Sequence, residues 1–429
     1  MTTRHAAVPR PRAARHARRL HSGTVLRTVA LSTVGLLAFG VTGAAAAFAK
    51  LQGNVDRVDV SDLLGDAPEP SKAPDPDDPN AGSPVNILVL GSDQRDGVNA
   101  DIGGEVEGMR SDTTIVLHIS ADRQRVEAVS IPRDSLVDIP ACEMSNGKTS
   151  RATHGMFNTA FATGWDMGGD MASAAACTIR TVQENTGLAI DHFVVVDFSG
   201  FQSMIDAIGG VEICIPNDMT SKDAGLAVKA GNQRLDGPTA LAFARARKGP
   251  GVGDGSDTNR IGNQQRLIAA MVQEVLSKNV LMDVPQLLSF LNAATSSLTT
   301  DTGLSLTAMT GLAYNMRSIR GGNITFMTVP WAPAKSDPNR VEWTSEAETL
   351  WANMAADVPA LGQPEPEPAP VDTAPPAADP GATAAPPAAP PATQAPAPEV
   401  TTPVEPAPSE TKQAGKEPFS ADDTTAVCG

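Results

Sequence analysis

Residues 111–134 read SDTTIVLHISADRQRVEAVSIPRD. Two apolar, β-branched runs, 113–119 and 125–131, flank a polar turn at residues 121–124. That pattern predicts two neighbouring strands. Working outward, VNILVL at residues 85–90 reads as another buried strand, and 193–196, 211–215 and 324–329 read as further ones. Apolar spacing at 3–4 residues predicts helices over 171–184, 201–208, 260–278, 284–294 and 304–319. Helices broken by Gly187 and by Gly209-Gly210 alternate with the strands. Such alternation predicts an α/β fold, an α–β–α layered domain.

Charged pairs sit at three strand ends. Asp93 and Arg95 follow the strand at 85–90, Arg110 and Asp112 precede the next, and Arg133 and Asp134 follow the third. In layered α/β folds, groups at strand ends converge on one crevice. Carboxylates there suit Mg²⁺, an ion that also bridges phosphate oxygens. The competing reading is that these pairs are turn caps that neutralise one another.

A second cluster lies in residues 241–266, LAFARARKGPGVGDGSDTNRIGNQQR. Arg245 and Arg247, read as an extended segment, point the same way. Gly249, Gly251, Gly253 and Gly255 read as a mobile connection, since no GK[ST] follows to make a phosphate loop. Asp257, Arg260, Gln264 and Gln265 then open an amphipathic helix. Arginine suits bidentate contact with phosphate oxygens, so the cluster could hold a diphosphate. Surface salt bridges are the bland alternative.

The ends of the chain differ from its middle. The chain has 429 residues and a net charge of −16, which argues against nucleic-acid binding. Residues 1–27 are basic, as a cytoplasmic tail would be. Residues 28–49 carry no charge and, as a helix rising about 1.5 Å per residue, reach about 33 Å, enough for a bilayer. Basic residues before that span and acidic ones after it place the N-terminus in the cytoplasm and the rest outside the cell membrane. A cleaved leader is the alternative, because residues 45–49 are small. Residues 50–82 read as an extended spacer, 83–360 as the folded domain, and 361–429 as a Pro/Ala-rich, acidic, disordered tail. Four cysteines without zinc spacing fit disulfides in an exported body. Cys142 with Cys177 is the first pairing expected, worth about 2–4 kcal/mol. Cys214 with Cys428 is the second. The alternative is a buried Cys214 thiol and a Cys428 that pairs with another chain or stays free. His118, His154 and His192 lack ligand spacing and read as packed or surface histidines.

NILVLGSDQR, RSDTTIVLHI, VSIPRDSLVDIP, FNTAFATG, LDGPTALAFARARKG and DTNRIGNQQRLIAAM occur in the order seen in the LytR–CpsA–Psr family of cell-envelope proteins. The chain resembles that family over residues 85–276. The resemblance implies an α–β–α domain around a mostly antiparallel sheet that holds a polyprenyl chain in an apolar tunnel. It implies a membrane-anchored phosphotransferase that moves a glycopolymer from undecaprenyl pyrophosphate to peptidoglycan and releases the lipid monophosphate. It further implies that Asp93 and Asp112 lie near Mg²⁺. Arg110, Arg133, Arg245, Arg247 and Arg260 would surround the pyrophosphate, with Asp257 and Gln264 ordering them. Arg95, Asp134 and Gln265 complete the expected substrate-binding set. Asn263 departs from the family, which often has Arg there. Two other readings fit the same residues: a non-catalytic regulator that binds polyprenyl phosphate or glycan, and a lipid pyrophosphatase.

Overall fold

The computed structural model describes residues 22–65, 82–93, 99, 109–277, 283–362, 411–423, 425, 426 and 428. Eight strands form the central sheet: β1 (Asp56–Val58), β2 (Val85–Ser92), β3 (Ser111–Ile119), β4 (Val126–Ile131), β5 (His192–Val196), β6 (Leu298–Asp301), β7 (Ile324–Thr328) and β8 (Phe419–Ser420). Their spatial order is β1-β6-β5-β2-β3-β4-β7-β8. The hairpin read from residues 111–134 is the antiparallel pair β3–β4.

The mostly antiparallel sheet expected from the resemblance is in fact mixed. Pairs β2–β3, β3–β4, β5–β6 and β7–β8 are antiparallel, while β1–β6, β2–β5 and β4–β7 are parallel. The physical reason is the length of the connections. Only β3 and β4 are joined by a tight turn. The chain between β4 and β5 instead carries the helices Asn158–Gly168 and Met171–Thr186, and a crossover of that length lets β5 return parallel to β2.

The apolar strands are buried on both faces because alternate side chains point oppositely. Leu88, Leu90, Val116, Val129 and Ile131 pack into a core shared with the helices Asn158–Gly168, Met171–Thr186 and Ser345–Ala355. Ile87, Ile115, Val126 and Ala128 face the other way, towards Ala269 and Ile268 of the helix Asp257–Leu276. Helices therefore cover both faces. A third apolar cluster joins that helix to Phe198–Ala207 and Gly237–Arg245 through Ile205, Phe243 and Leu267.

Residues 22–54 form a continuous helix, Ser22–Asn54. The span expected at 28–49 falls inside it, and several of its side chains lie outside the described residues. Among the described residues, no helix is long and apolar enough to cross a membrane. Residues 66–81 of the spacer expected at 50–82 also lie outside them; before that, residues 50–54 end the first helix, Asp56–Val58 is β1 and Ser61–Leu64 is a helical turn, rather than extended chain.

The tail expected to be disordered is ordered over 411–423; the expected second disulfide anticipates anchoring of the residues from 419 on, but not of 411–418. There Phe419 and Ala421 are buried against the sheet and helix. An apolar pair within a polar tail supplies the burial that the Pro/Ala-rich composition lacks. Both expected disulfides are present, Cys142–Cys177 and Cys214–Cys428, with Cα atoms 5.2 and 5.4 Å apart.

Candidate functional site

Asp257–Leu276 is the helix on which the site is built. Ser256 caps it, its hydroxyl accepting from the Asn259 amide, and Asp257 in the first turn complements the helix dipole. Asp257 and Arg260, three residues apart, meet on one helix face as an ion pair of 2.5 Å. Both are almost fully buried.

The segment read as extended, residues 241–247, is instead mostly helical. Asp236 caps the helix Gly237–Arg245 by accepting from the Thr239 amide, and a Pro in the first turn plus an Ala/Leu run favour it. Arg245 is its last residue. Ala246 turns extended, and Arg247 stands beyond it. The glycine-rich stretch is not an open connection. Lys248–Gly249 and Gly253–Asp254 pair as a tight hairpin, in which Gly249 has φ +132° and lies against the backbone of Thr220, leaving no room for a Cβ.

Beside these elements lies a cavity of about 590 Å³. Asp112, Arg133, Arg245, Arg247, Arg260 and Gln264 line it. The rest of its wall is largely apolar: Val89, Ile115, Val196, Phe201, Met204, Leu267, Ile268 and Met271. Arg133 donates to Asp112 Oδ1 at 2.5 Å, and the other oxygen of Asp112 is 3.6 Å from Arg260. Arg260 also donates to the Asp112 carbonyl at 2.7 Å. Asp257 accepts from the Arg133 amide at 3.0 Å. Arg245 stacks over Phe198 at 4.5 Å, and Gln264 donates to the Ala244 carbonyl, joining the two helices.

Arg247 differs from its neighbours. Among the described residues no carboxylate lies in ion-pair range of it, and its buried Nε has no hydrogen-bond partner. Burial, and then the charges of Arg133 and Arg260, push the Arg247 guanidinium below its usual pKa. The buried Nε atoms of Arg133 and Arg260 likewise lack hydrogen bonds. A cationic cluster with unsatisfied donors is matched to an anion. The three Nε atoms have no hydrogen-bond acceptor in the protein, although Arg133 Nε lies 3.7 Å from the Asp257 carboxylate, an arrangement with the chemistry to receive an anion.

Burial alone raises the Asp112 carboxyl, but Arg260 and Arg133 outweigh it and hold it below 3.8. A lowered folded-state pKa gives stability that is present above the unfolded value and is lost as pH falls through the folded one. The stability gap between the wild type and Asp112→Asn is therefore expected to be constant from neutrality down to about pH 4 and to close only in stronger acid. Thermal midpoints across pH 2–7 check this. A gap already closed at pH 5 contradicts it.

Other expected residues lie elsewhere. Asp134 sits 3.8 Å from Arg133 and 3.7 Å from Arg340, and it is not part of the cavity wall. Asp93 and Arg110 also stay outside the wall. The Asp93 carboxylate accepts from the Arg110 amide at 2.6 Å, pinning together the two ends of the intervening segment. Arg95 lies outside the described residues. Gln265 is turned away from the cavity: it is 0% exposed and donates to Ser130 and Thr328 of the sheet. Helical periodicity accounts for this, since residue 265 sits about 100° round the helix from residue 264. Sequence reading missed Asp197, Phe198, Ser221, Asp223 and Lys248 in the wall. It also missed Asn99, whose side chain ties to Asp197 and to the Ser199 amide. Two of these had a signal in the sequence, Asp197 directly after the strand at 193–196 and Lys248 within the stretch 241–266, whereas Phe198, Ser221, Asp223 and Asn99 had none. Asn263, the departure from the family pattern, is 8% exposed and outside the wall.

Among the described residues no group of three or more His, Cys, Asp or Glu side chains could hold a metal. Mg²⁺ usually takes only one or two carboxylates and completes its shell with phosphate oxygens and water. Asp112, a carboxylate on the cavity wall, fits that role. Asp93 has one oxygen engaged by the Arg110 amide.

The LytR_cpsA_psr family profile matches residues 49–355. The chain is 29% identical over 310 residues to a cell wall biosynthesis protein, LcpA, of Corynebacterium glutamicum, covering 67% of this chain and 58% of that protein. It thus spans less than two thirds of that relative. It is 31% identical over 242 residues to a polyisoprenyl-teichoic acid–peptidoglycan teichoic acid transferase, TagU, of Enterococcus faecalis, covering 56% of this chain and 69% of that one. Among solved structures, a LytR-Csp2A-Psr enzyme from Actinomyces oris aligns with a TM-score of 0.49 and 22% identity over 70% of this chain and 96% of its own.

Proposed function

Because the chain belongs to the LytR-CpsA-Psr family, we propose that it transfers a glycopolymer from a polyprenyl pyrophosphate carrier to peptidoglycan. One observation carries this reading. A single cavity combines an apolar wall with arginines whose buried Nε donors have no protein acceptor. A lipid diphosphate has both matching parts, an apolar chain and adjacent anionic groups. The name of the enterococcal relative, a transferase from polyisoprenyl-linked teichoic acid to peptidoglycan, supports the same class of reaction.

In the proposed reaction a sugar hydroxyl of peptidoglycan attacks the phosphorus that bears the glycopolymer. A P–O bond forms to that hydroxyl oxygen, and the bond to the bridging oxygen breaks. The hydroxyl proton is lost, and polyprenyl phosphate leaves with the electron pair. Phosphoryl transfer depends chiefly on positioning and on neutralising charge. Arg133, Arg247 and Arg260 carry the charge that meets the diphosphate. Asp112 and Asp257 hold Arg133 and Arg260 in place. Mg²⁺, held by Asp112 with Asp93 at its margin, would supply further charge to the phosphate oxygens. Contact of Arg95 and Arg110 with the substrate is part of this proposal.

The charge-free span 28–49, preceded by basic residues, would anchor the protein in the cell membrane with its catalytic domain outside, where a lipid-linked donor is confined.

Purified protein with Mg²⁺, a lipid-pyrophosphate-linked glycan and peptidoglycan tests the reaction. The expected products are glycan-bearing peptidoglycan and polyprenyl monophosphate, with chelator suppressing both. Release of free glycan phosphate without attachment identifies a pyrophosphatase instead. Donor binding without turnover identifies a regulator. Full activity in chelator removes the metal from the reaction.

A further inference from the structure

The cavity-facing side of the helix Asp257–Leu276 presents Arg260, Gln264, Leu267, Ile268 and Met271. Its opposite side presents Thr258, Gly262, Gln265, Ala269 and Gln273, and the C-terminal segment runs along that side. The Gly415 amide donates to Gln265 Oε1 at 2.9 Å, while Gln265 Nε2 donates to Ser130 and Thr328 at 3.0 and 3.3 Å. One buried carboxamide thus ties the helix, the sheet and a segment 150 residues away in sequence. Gly415 has φ +85°, and a Cβ there would stand 2.7 Å from the Thr258 carbonyl and 2.8 Å from the Gly262 amide. Phe419 stacks on Phe326 at 5.4 Å, and the Ala421 amide donates to the Ile324 carbonyl at 3.0 Å. Gln273 donates to the Ala421 carbonyl. Lys412 and Asp423 pair at 2.8 Å, and the Cys214–Cys428 bridge fastens the far end.

We propose that residues 411–423, fastened further on by the Cys214–Cys428 bridge, form a strap that sets the helix Asp257–Leu276, with Gln265 as a positioning residue acting through Arg260 on the diphosphate. This inference rests on the reading of the cavity as a diphosphate site. Apolar packing alone would hold the helix to the sheet. A saturated, directional carboxamide fixes its rotation and register as well. Arg260 lies five residues from Gln265 on the same rigid element, so a small turn of the helix moves its guanidinium. A displacement of about 1 Å costs up to about a hundredfold where positioning governs the rate.

The test uses the full-length chain and farnesyl pyrophosphate as the probe, with binding read by calorimetry and folding by near-ultraviolet circular dichroism. Gly415→Val, whose side chain would meet the helix backbone at Thr258 and Gly262, is expected to push the strap off while leaving the helix sequence unchanged, and Gln265→Met removes the tie from the helix side. Each is expected to weaken binding about tenfold in folded protein, and the double variant no more than either alone, as coupled neighbours do. Should Gly415→Val fail to fold, Cys428→Ser loosens the strap from its far end and is expected to weaken binding in the same direction. Wild-type affinity in folded Gly415→Val, with the strap newly open to limited proteolysis, overturns the strap's role alone. The same holds for wild-type affinity in Cys428→Ser where that variant is used. Additive losses in the double variant also overturn it. Failure of the wild type to bind farnesyl pyrophosphate overturns the cavity reading and the strap with it.

Discussion

Arg247→Ala is expected to lower glycopolymer transfer by about 10²–10³-fold, the usual loss when one preorganised donor to a charged transition state is removed. The same substitution is expected to leave stability unchanged or slightly raised. This combination follows from the surroundings of Arg247. Burial and the charges of Arg133 and Arg260 depress its pKa. A cation with a depressed pKa is less favourable folded than unfolded at neutral pH, so its charge works against folding. No ion pair within the described residues offsets this. Such a group does not support the fold, which is what the proposed contact with a diphosphate requires of it. Turnover on a lipid-pyrophosphate donor and urea midpoints together check the claim. Wild-type turnover, or a clear fall in midpoint, would place Arg247 in the framework instead.

Asp257→Ala should differ from it in costing stability as well as activity. Asp257 and Arg260 form a buried ion pair, and Asp257 also accepts from the Arg133 amide. Burial raises the Asp257 carboxyl against the pull of Arg260 and Arg133, but removing it takes the nearest carboxylate from buried Arg260 and leaves it, among the described residues, only the Asp112 oxygens, one of them 3.6 Å away; breaking a buried pair in this way costs about 3 kcal/mol. Transfer is expected to fall too, because Arg260 and the backbone at Arg133 both lose their fixed position. Replacing both partners, Asp257→Leu with Arg260→Met, is expected to recover most of the lost stability and none of the activity. Chemical unfolding of the two variants separates the effects. A single variant as stable as the wild type, or a double variant less stable than the single, contradicts the pairing.

The two arginines differ in their dependence on neighbours, and that difference was not legible in the sequence. Both appear there as Arg in a charged stretch. Arg260 has a carboxylate three residues earlier on the same helix, so its partner could be anticipated from helical spacing. Arg247 has Asp254 and Asp257 nearby in sequence, yet the hairpin at 248–254 and the new helix turn those groups elsewhere. Likewise, the motif GNQQR gave Gln264 and Gln265 equal standing. The helix sends one to the cavity side and the other to the sheet and strap.

By itself, the sequence determined what depends on local pattern. Alternating β-branched runs mark β2, β3 and β4, glycines mark helix ends such as Gly187, and strand-end charges mark Asp112 and Arg133. These follow from propensity and periodicity, which act within a few residues. Only the tertiary structure decided the mixed sheet, the burial of Phe419 on its edge, and the separation of Asp93 and Arg110 from the cavity wall. Each depends on contacts between segments far apart in the chain. Which arginine keeps a partner, and which is left for a ligand, is set by three-dimensional charge placement that a linear order of residues does not contain.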